Sequence, residues 1–204
     1  MFKKMASDVL GLSDIGSVIK PADYDKVDAD DYIMHEDEEK IYFLIKSKTD
    51  EYCFTNQAFI HLDGTSAISK KRTLRRYHYS KYRISDVSLE TAGTVDLDAE
   101  IKFKIGEMDF SIDVHKKFIE ELKDLFKSLI KIAEICEENE FSLQYAEKSI
   151  HLAADTLKYI RSDEHKLGGQ LAELNSVAFE WLMESREKYH VKDFGYVFEK
   201  YINN

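Results

Sequence analysis

Between Val114 and Phe118 the hydrophobic repeat of the chain changes from two residues to about 3.6, and nothing else constrains its fold as strongly. Ahead of the switch, Ile101, Phe103 and Ile105 alternate with Glu100, Lys102 and Lys104. Gly106-Glu107 then turns the chain, and Met108, Phe110, Ile112 and Val114 alternate with Asp109, Ser111 and Asp113 on the way back. One apolar and one solvated face per strand is the mark of an antiparallel hairpin. After the switch, Phe118, Leu122, Leu125, Leu129 and Ile132 fall on one stripe of a helix, with lysines and acids opposite. A small antiparallel sheet leaves an edge and an apolar face uncovered, and a helix that follows it directly can close both.

Upstream of the hairpin the same two-residue rhythm recurs. Ile41 to Ile45 is apolar on both faces, Thr49-Asp50 breaks it, and Tyr52-Cys53-Phe54 returns. Ala58 to Leu62 ends at the turn signal Asp63-Gly64, and Thr73 to Tyr79 and Ile84 to Thr91 add two further strands. The sequence thus predicts seven short strands and then a helix, an α+β order. The first forty residues predict short helical turns, one capped by Ser7 and stopped at Gly11, another opened by Pro21.

Beyond Glu137-Glu138-Asn139-Glu140 the apolar stripe stops, which places a domain boundary there, with domains at 1–134 and 139–204. Leu143, Ala146, Ile150, Ala153, Leu157 and Ile160 then recur at spacings of three and four. Leu171, Leu174, Ala178 and Trp181 repeat the pattern after a turn at Arg161–His165, which predicts an antiparallel helical hairpin. Phe194 and Phe198 lie in a short apolar end segment. Leu171, Leu174, Trp181, Phe194 and Phe198 are expected to pack on the first domain or on a neighbouring subunit, because two helices alone cannot bury that surface.

Composition removes several function classes. With 29 basic and 39 acidic side chains the formal charge is −10, a poor basis for binding nucleic acid through its phosphates. Two cysteines, Cys53 and Cys136, are too few for a disulfide scaffold, and no apolar run approaches the roughly 20 residues of a membrane span. The start, Met1 to Ser7, carries two lysines but no apolar run behind them, so a cytoplasmic protein is expected. Seven histidines are scattered without a ligand spacing, and there is no nucleophile elbow, P-loop or dinucleotide fingerprint. No metal, cofactor or catalytic residue is expected.

Residues 1–132 resemble the bacterial pleckstrin-homology-like domain family. The stretches that carry the likeness are Leu10-Gly11-Leu12-Ser13-Asp14-Ile15-Gly16, Ser47-Lys48-Thr49-Asp50-Glu51-Tyr52 and Leu89-Glu90-Thr91-Ala92-Gly93-Thr94. The tail is similar to the helical extension of the YvbH-like members. The resemblance implies a seven-stranded bent antiparallel barrel capped by a helix, a cyclic homo-oligomeric ring and no assigned catalytic activity.

Two charge blocks bear on partners. Residues 23–39 hold nine acids against Lys26, whereas residues 70–83 hold seven bases and no acid. The basic block includes Lys70, Lys71, Arg72, Arg75 and Arg76, with Tyr77 and Tyr79 interleaved. Charge runs are ordinarily solvated faces. The functional alternatives are a protein interface, for which Arg and Tyr are favoured anchors; an anionic lipid or phosphorylated ligand; and, last, nucleic acid. A ring needs two different surfaces per subunit, so the basic strand is expected to meet an acidic patch of a neighbour. The expected function is a noncatalytic protein-interaction and self-assembly module. Its partners are other copies of itself and an unidentified protein, with a membrane surface as the alternative.

Overall fold

The computed structural model describes residues 14–64, 72–91, 98–157 and 167–202. Among the described residues, eight strands lie in two antiparallel sheets. The first is a meander of five, β1 (Ser17–Val18), β2 (Ile41–Lys46), β3 (Glu51–Thr55), β4 (Ala58–Gly64) and β5 (Arg72–His78). The second holds three, β6 (Ile84–Glu90), β7 (Asp98–Ile105) and β8 (Met108–His115). This corrects the expected seven-stranded barrel: there is an eighth strand, and the sheets do not close into one. The added strand has two residues, too few to show an alternation. Beside it an isolated parallel bridge joins Gly16 to Val114 across the sheets. Gly16 N donates to the Asp113 carbonyl at 2.8 Å, and a Cβ on Gly16 would stand 2.7 Å from Ile45 Cγ2. Only glycine admits that approach.

Both faces of the five-stranded sheet are buried at its central strands, as the unbroken apolar run of β2 requires. The register row Phe43, Phe54, Phe59 and Tyr77 is one face, and Leu44, Cys53, Ile60 and Arg76 is the other. Phe59 meets Phe103 and Phe110 of the second sheet edge-on at 5.2 and 4.8 Å between centroids. Burying each such ring contributes about 1.5–3 kcal/mol. Leu44, Cys53 and Ile60 instead join Ile19, Val27, Ala29 and Ile33, carried by short 3-10 turns at Pro21–Lys26 and Asp28–Tyr32 and the residues flanking them.

Three α-helices follow: α1 (Ile119–Leu157), α2 (Leu167–Tyr189) and α3 (Gly195–Tyr201). Leu122, Leu125, Leu129 and Ile132 of α1 are all fully buried. The helix runs through Glu137–Glu140 without a stop, because those residues interrupt the apolar stripe yet include no glycine or proline to break the backbone. The chain divides into two compact units, Met1–Glu134 with Lys192–Asn204, and Ile135–Val191, so the division falls within α1. In the second unit α1 and α2 touch where Trp181 Nε1 donates to the Ala146 carbonyl at 3.3 Å. The connection expected at 161–165 and the turn expected after Ser7 lie outside the described residues.

Candidate functional site

The basic strand is β5, at one edge of the five-stranded sheet. Lys70 and Lys71 lie outside the described residues. The three arginines are each matched by acceptors of the same chain. Arg72 Nη1 donates to the Thr49 carbonyl at 2.5 Å, with Nη2 at 3.4 Å from Asp28. Arg75 reaches Asp63 at 3.3 Å and Arg76 reaches Glu39 at 2.7 Å. Asp28 and Glu39 belong to the acidic block, so the two oppositely charged segments meet within one subunit. Tyr77 and Tyr79 point inward: Tyr77 packs on Phe59 and Tyr82, and Tyr79 meets Phe194 edge-on at 5.8 Å.

These pairs are not equivalent. Arg72 and Arg75 are exposed, where an ion pair contributes about 0–1 kcal/mol. Glu39 is 1% exposed, and its Oε1 accepts from Arg76 at 2.7 Å and from Thr55 Oγ1 at 2.5 Å, while Oε2 accepts the Met34 N–H at 2.9 Å. Arg76 Nε also donates to His78 Nε2 at 3.3 Å. Burial, the Arg76 guanidinium and Lys81 together hold the His78 imidazole below its ordinary value, in keeping with an acceptor nitrogen. Burial, followed by the nearby carboxylates Glu39, Glu51 and Asp30, pushes the Cys53 thiol well up, so it is an inert core group.

The five apolar residues expected at a packing or subunit surface separate into two groups. Leu171 and Trp181 are 66% and 44% exposed on α2, with Leu174 exposed beside them, whereas Phe194 and Phe198 are fully buried. The surface is also wider than those three residues. Tyr145 and Leu152 on α1 and Val177, Phe179 and Met183 on α2 are at least half exposed. Among the described residues of this unit, Ala146 and Ser185 alone are buried. The signal in the sequence was the run Val177-Ala178-Phe179 and Trp181-Leu182-Met183, which wraps the helix rather than keeping to one stripe.

Phe194 and Phe198 are buried because the chain end returns to the first unit. Asn56 anchors it twice, its Nδ2 donating to Asp193 Oδ2 at 2.6 Å and its carbonyl accepting the Phe194 N–H at 2.7 Å. Tyr42 stacks on Phe198 at 5.4 Å and donates through its hydroxyl to Glu199 at 2.8 Å. Burial and that carboxylate push the Tyr42 phenol up to about 12. A Cβ on Gly195 would lie 2.7 Å from the Tyr42 hydroxyl.

Among the described residues, no three His, Cys, Asp or Glu side chains converge to hold a metal ion, and no helix is long and apolar enough to cross a membrane. Paired antiparallel sheets followed by a helix, with an exposed apolar extension, define an α+β class of fold. Comparison with known proteins agrees with that class. The family model for the bacterial PH domain matches residues 9–133, and that for the YvbH-like oligomerisation region matches residues 144–204. The chain belongs to the bacterial PH-domain family and carries the YvbH-like oligomerisation region. It is 61% identical over 204 residues to the uncharacterised protein YvbH of Bacillus subtilis strain 168, covering all of both chains. It is also similar to the crystal structure of a PH-domain-containing protein from Exiguobacterium sibiricum 255-15. That match has 52% identity and a TM-score of 0.86, over 93% of this chain and 100% of the other. A PH-domain protein of the DUF1696 family from Shewanella loihica PV-4 aligns at 20% identity and a TM-score of 0.46, over 58% of this chain and 97% of its own.

Proposed function

We propose that this protein is a noncatalytic, cytoplasmic self-assembly and protein-interaction subunit, whose PH-like part (residues 1–134) and helical extension (139–204) build a homo-oligomeric ring. The observation that carries the reading is the exposed apolar surface of α1 and α2, from Tyr145 and Leu152 to Leu171, Phe179 and Trp181. Large apolar side chains exposed in such number on two helices call for a cover, and the region matches an oligomerisation family. In this reading α1 and α2 form an antiparallel hairpin whose outer faces are subunit contacts, and the end segment with Phe194 and Phe198 ties it back to the PH-like part. In the same reading the basic segment that holds Lys70, Lys71, Arg72 and Arg75 contributes the second, PH-side surface that a cyclic assembly needs, with Arg72 and Arg75 exposed on β5.

Size-exclusion chromatography with light scattering on the full chain tests this. The unaltered protein runs as an oligomer, and Leu171→Asp/Phe179→Asp runs as a monomer with its sheet signal intact. A monomeric unaltered protein refutes assembly; class averages in electron microscopy showing only a two-fold dimer refute the ring. Anionic ligand binding at the 70–83 strand is less well supported, since Arg72, Arg75 and Arg76 already meet carboxylates or carbonyls of their own chain.

A further inference from the structure

On the first unit, the end of β1 with Ile19 and Lys20, the first 3-10 turn, the end of β2 and the turn Lys116–Phe118 surround a cleft of about 640 Å³. That volume lies in the range of small-molecule sites, roughly 300–1,000 Å³. Its floor is apolar. Ile19 and Val27 are each 8% exposed and form the outer edge of the cluster that holds Leu44 and Ile60. Phe118 makes a half-buried aromatic wall.

The rim has the opposite character. Lys20, Lys46 and Lys117 line it, and the one lining carboxylate, Asp23, is engaged by Lys26 at 2.6 Å. Lys117 Nζ lies 4.7 Å from the centroid of the Phe118 ring, which places a cation over the aromatic wall. Lys46 is held at the cleft wall by Glu51 at 2.5 Å, and Glu51 is itself fixed by the Ala29 N–H at 2.7 Å. Cations outnumber carboxylates here even with Glu51 counted, a local reversal in a chain of formal charge −10.

We propose that this cleft binds a monomeric anionic amphiphile, a medium-chain carboxylate whose hydrocarbon body lies on Ile19, Val27 and Phe118 and whose head group meets Lys20 and Lys117. An apolar floor alone gives no preference for charge, and lysines alone give none for a hydrocarbon. Their conjunction within one small-molecule-sized cleft selects a ligand with both. No residue lining the cleft belongs to the assembly surfaces proposed above, and the proposal does not depend on them.

Isothermal titration calorimetry of the full chain with decanoate, below its micelle-forming concentration, tests the proposal, with decanol and inorganic phosphate in parallel. Saturable binding of one decanoate per chain is expected, with amide shifts in NMR at Ile19, Val27 and Phe118. Lys20→Glu/Lys117→Glu changes two exposed side chains and so keeps the fold, and it weakens binding at least about tenfold. Equal affinity for decanol, equal affinity for phosphate, or binding untouched by the double variant overturns the site. Capture by anionic phospholipid vesicles without any binding of decanoate also overturns it, in favour of a membrane surface.

Discussion

The first unit and the second spend their apolar residues in opposite ways. In the first, Phe54, Phe59, Leu44 and Ile60 are fully buried, and each face of the five-stranded sheet has its own cover. In the second, Phe179 is 63% exposed and Leu152 70%, and the described buried residues are one alanine and one serine. Two helices side by side bury little more than the stripe between them, whereas stacked layers bury both faces of a sheet. The first unit has the contents of an independent fold. The second leaves most of its large apolar side chains exposed.

The sharpest way to break this contrast is one aromatic truncation in each unit. Phe59→Ala removes a ring that touches Phe54, Phe103 and Phe110, and should cost the first unit about 3–5 kcal/mol in urea unfolding. Phe179→Ala, at a site 63% exposed, should shift that transition by less than about 0.5 kcal/mol while weakening the oligomer in light scattering. Equal effects of the two on unfolding would end the distinction.

A second pair of substitutions probes the arginines of β5. Arg76→Ala leaves Glu39 buried without its cation and should cost about 3–5 kcal/mol. Arg75→Ala, one residue away but exposed, should cost at most about 1 kcal/mol. Arg76→Met/Glu39→Leu should recover most of the larger loss, because it removes both buried charges together.

What the sequence made legible, and what it hid, follows the reach of each signal. Seven of the eight described strands show themselves as alternating or short apolar runs bounded by turn signals, and their ends fall within a few residues of those runs. Ser17–Val18 escapes because two residues have no period. The continuity of α1 through Glu137–Glu140 escapes because a lost stripe reports a change in what covers the helix, not a change in the backbone. The opposite charge of the two blocks was plain, but their meeting is not a local property: Arg76 finds Glu39 thirty-seven positions away, in its own chain. The destination of Phe194 and Phe198 is hidden for the same reason, since an apolar side chain does not name the surface it will find. The lysine-rimmed cleft draws on four separated segments and leaves no motif at all.

Tyr42 tests the tie between the chain end and the first unit at a smaller scale. Tyr42→Phe keeps the stack on Phe198 and loses the hydroxyl's bond to Glu199, about 1 kcal/mol at a half-exposed site. Hydrogen exchange at Val197 and Phe198 should quicken accordingly. In the unaltered protein the same tie should loosen as pH rises above 10. The free phenol ionises there, while burial and Glu199 hold the docked one protonated to about 12, so alkali favours release. Tyr42→Phe should abolish that alkaline step.

The smallest expected effect concerns His78, and its sign is fixed by the Arg76–Glu39 cluster. Burial, Arg76 and Lys81 depress the imidazole in the folded chain, whereas the unfolded chain takes up its proton near the ordinary 6.5. Above that value both states are neutral at this position and His78 adds no pH dependence. As pH falls below it, the unfolded state binds the proton first, and stability declines. Protonation would also remove the Nε2 acceptor that receives Arg76 Nε, and would set a second cation beside a guanidinium already committed to Glu39. His78→Asn should therefore flatten the loss of stability between pH 6.5 and the onset of carboxylate protonation, with little change at pH 8. An unaltered slope in that variant would mean that the buried cluster does not sense the imidazole, and the histidine would then belong with the exposed arginines rather than with Arg76.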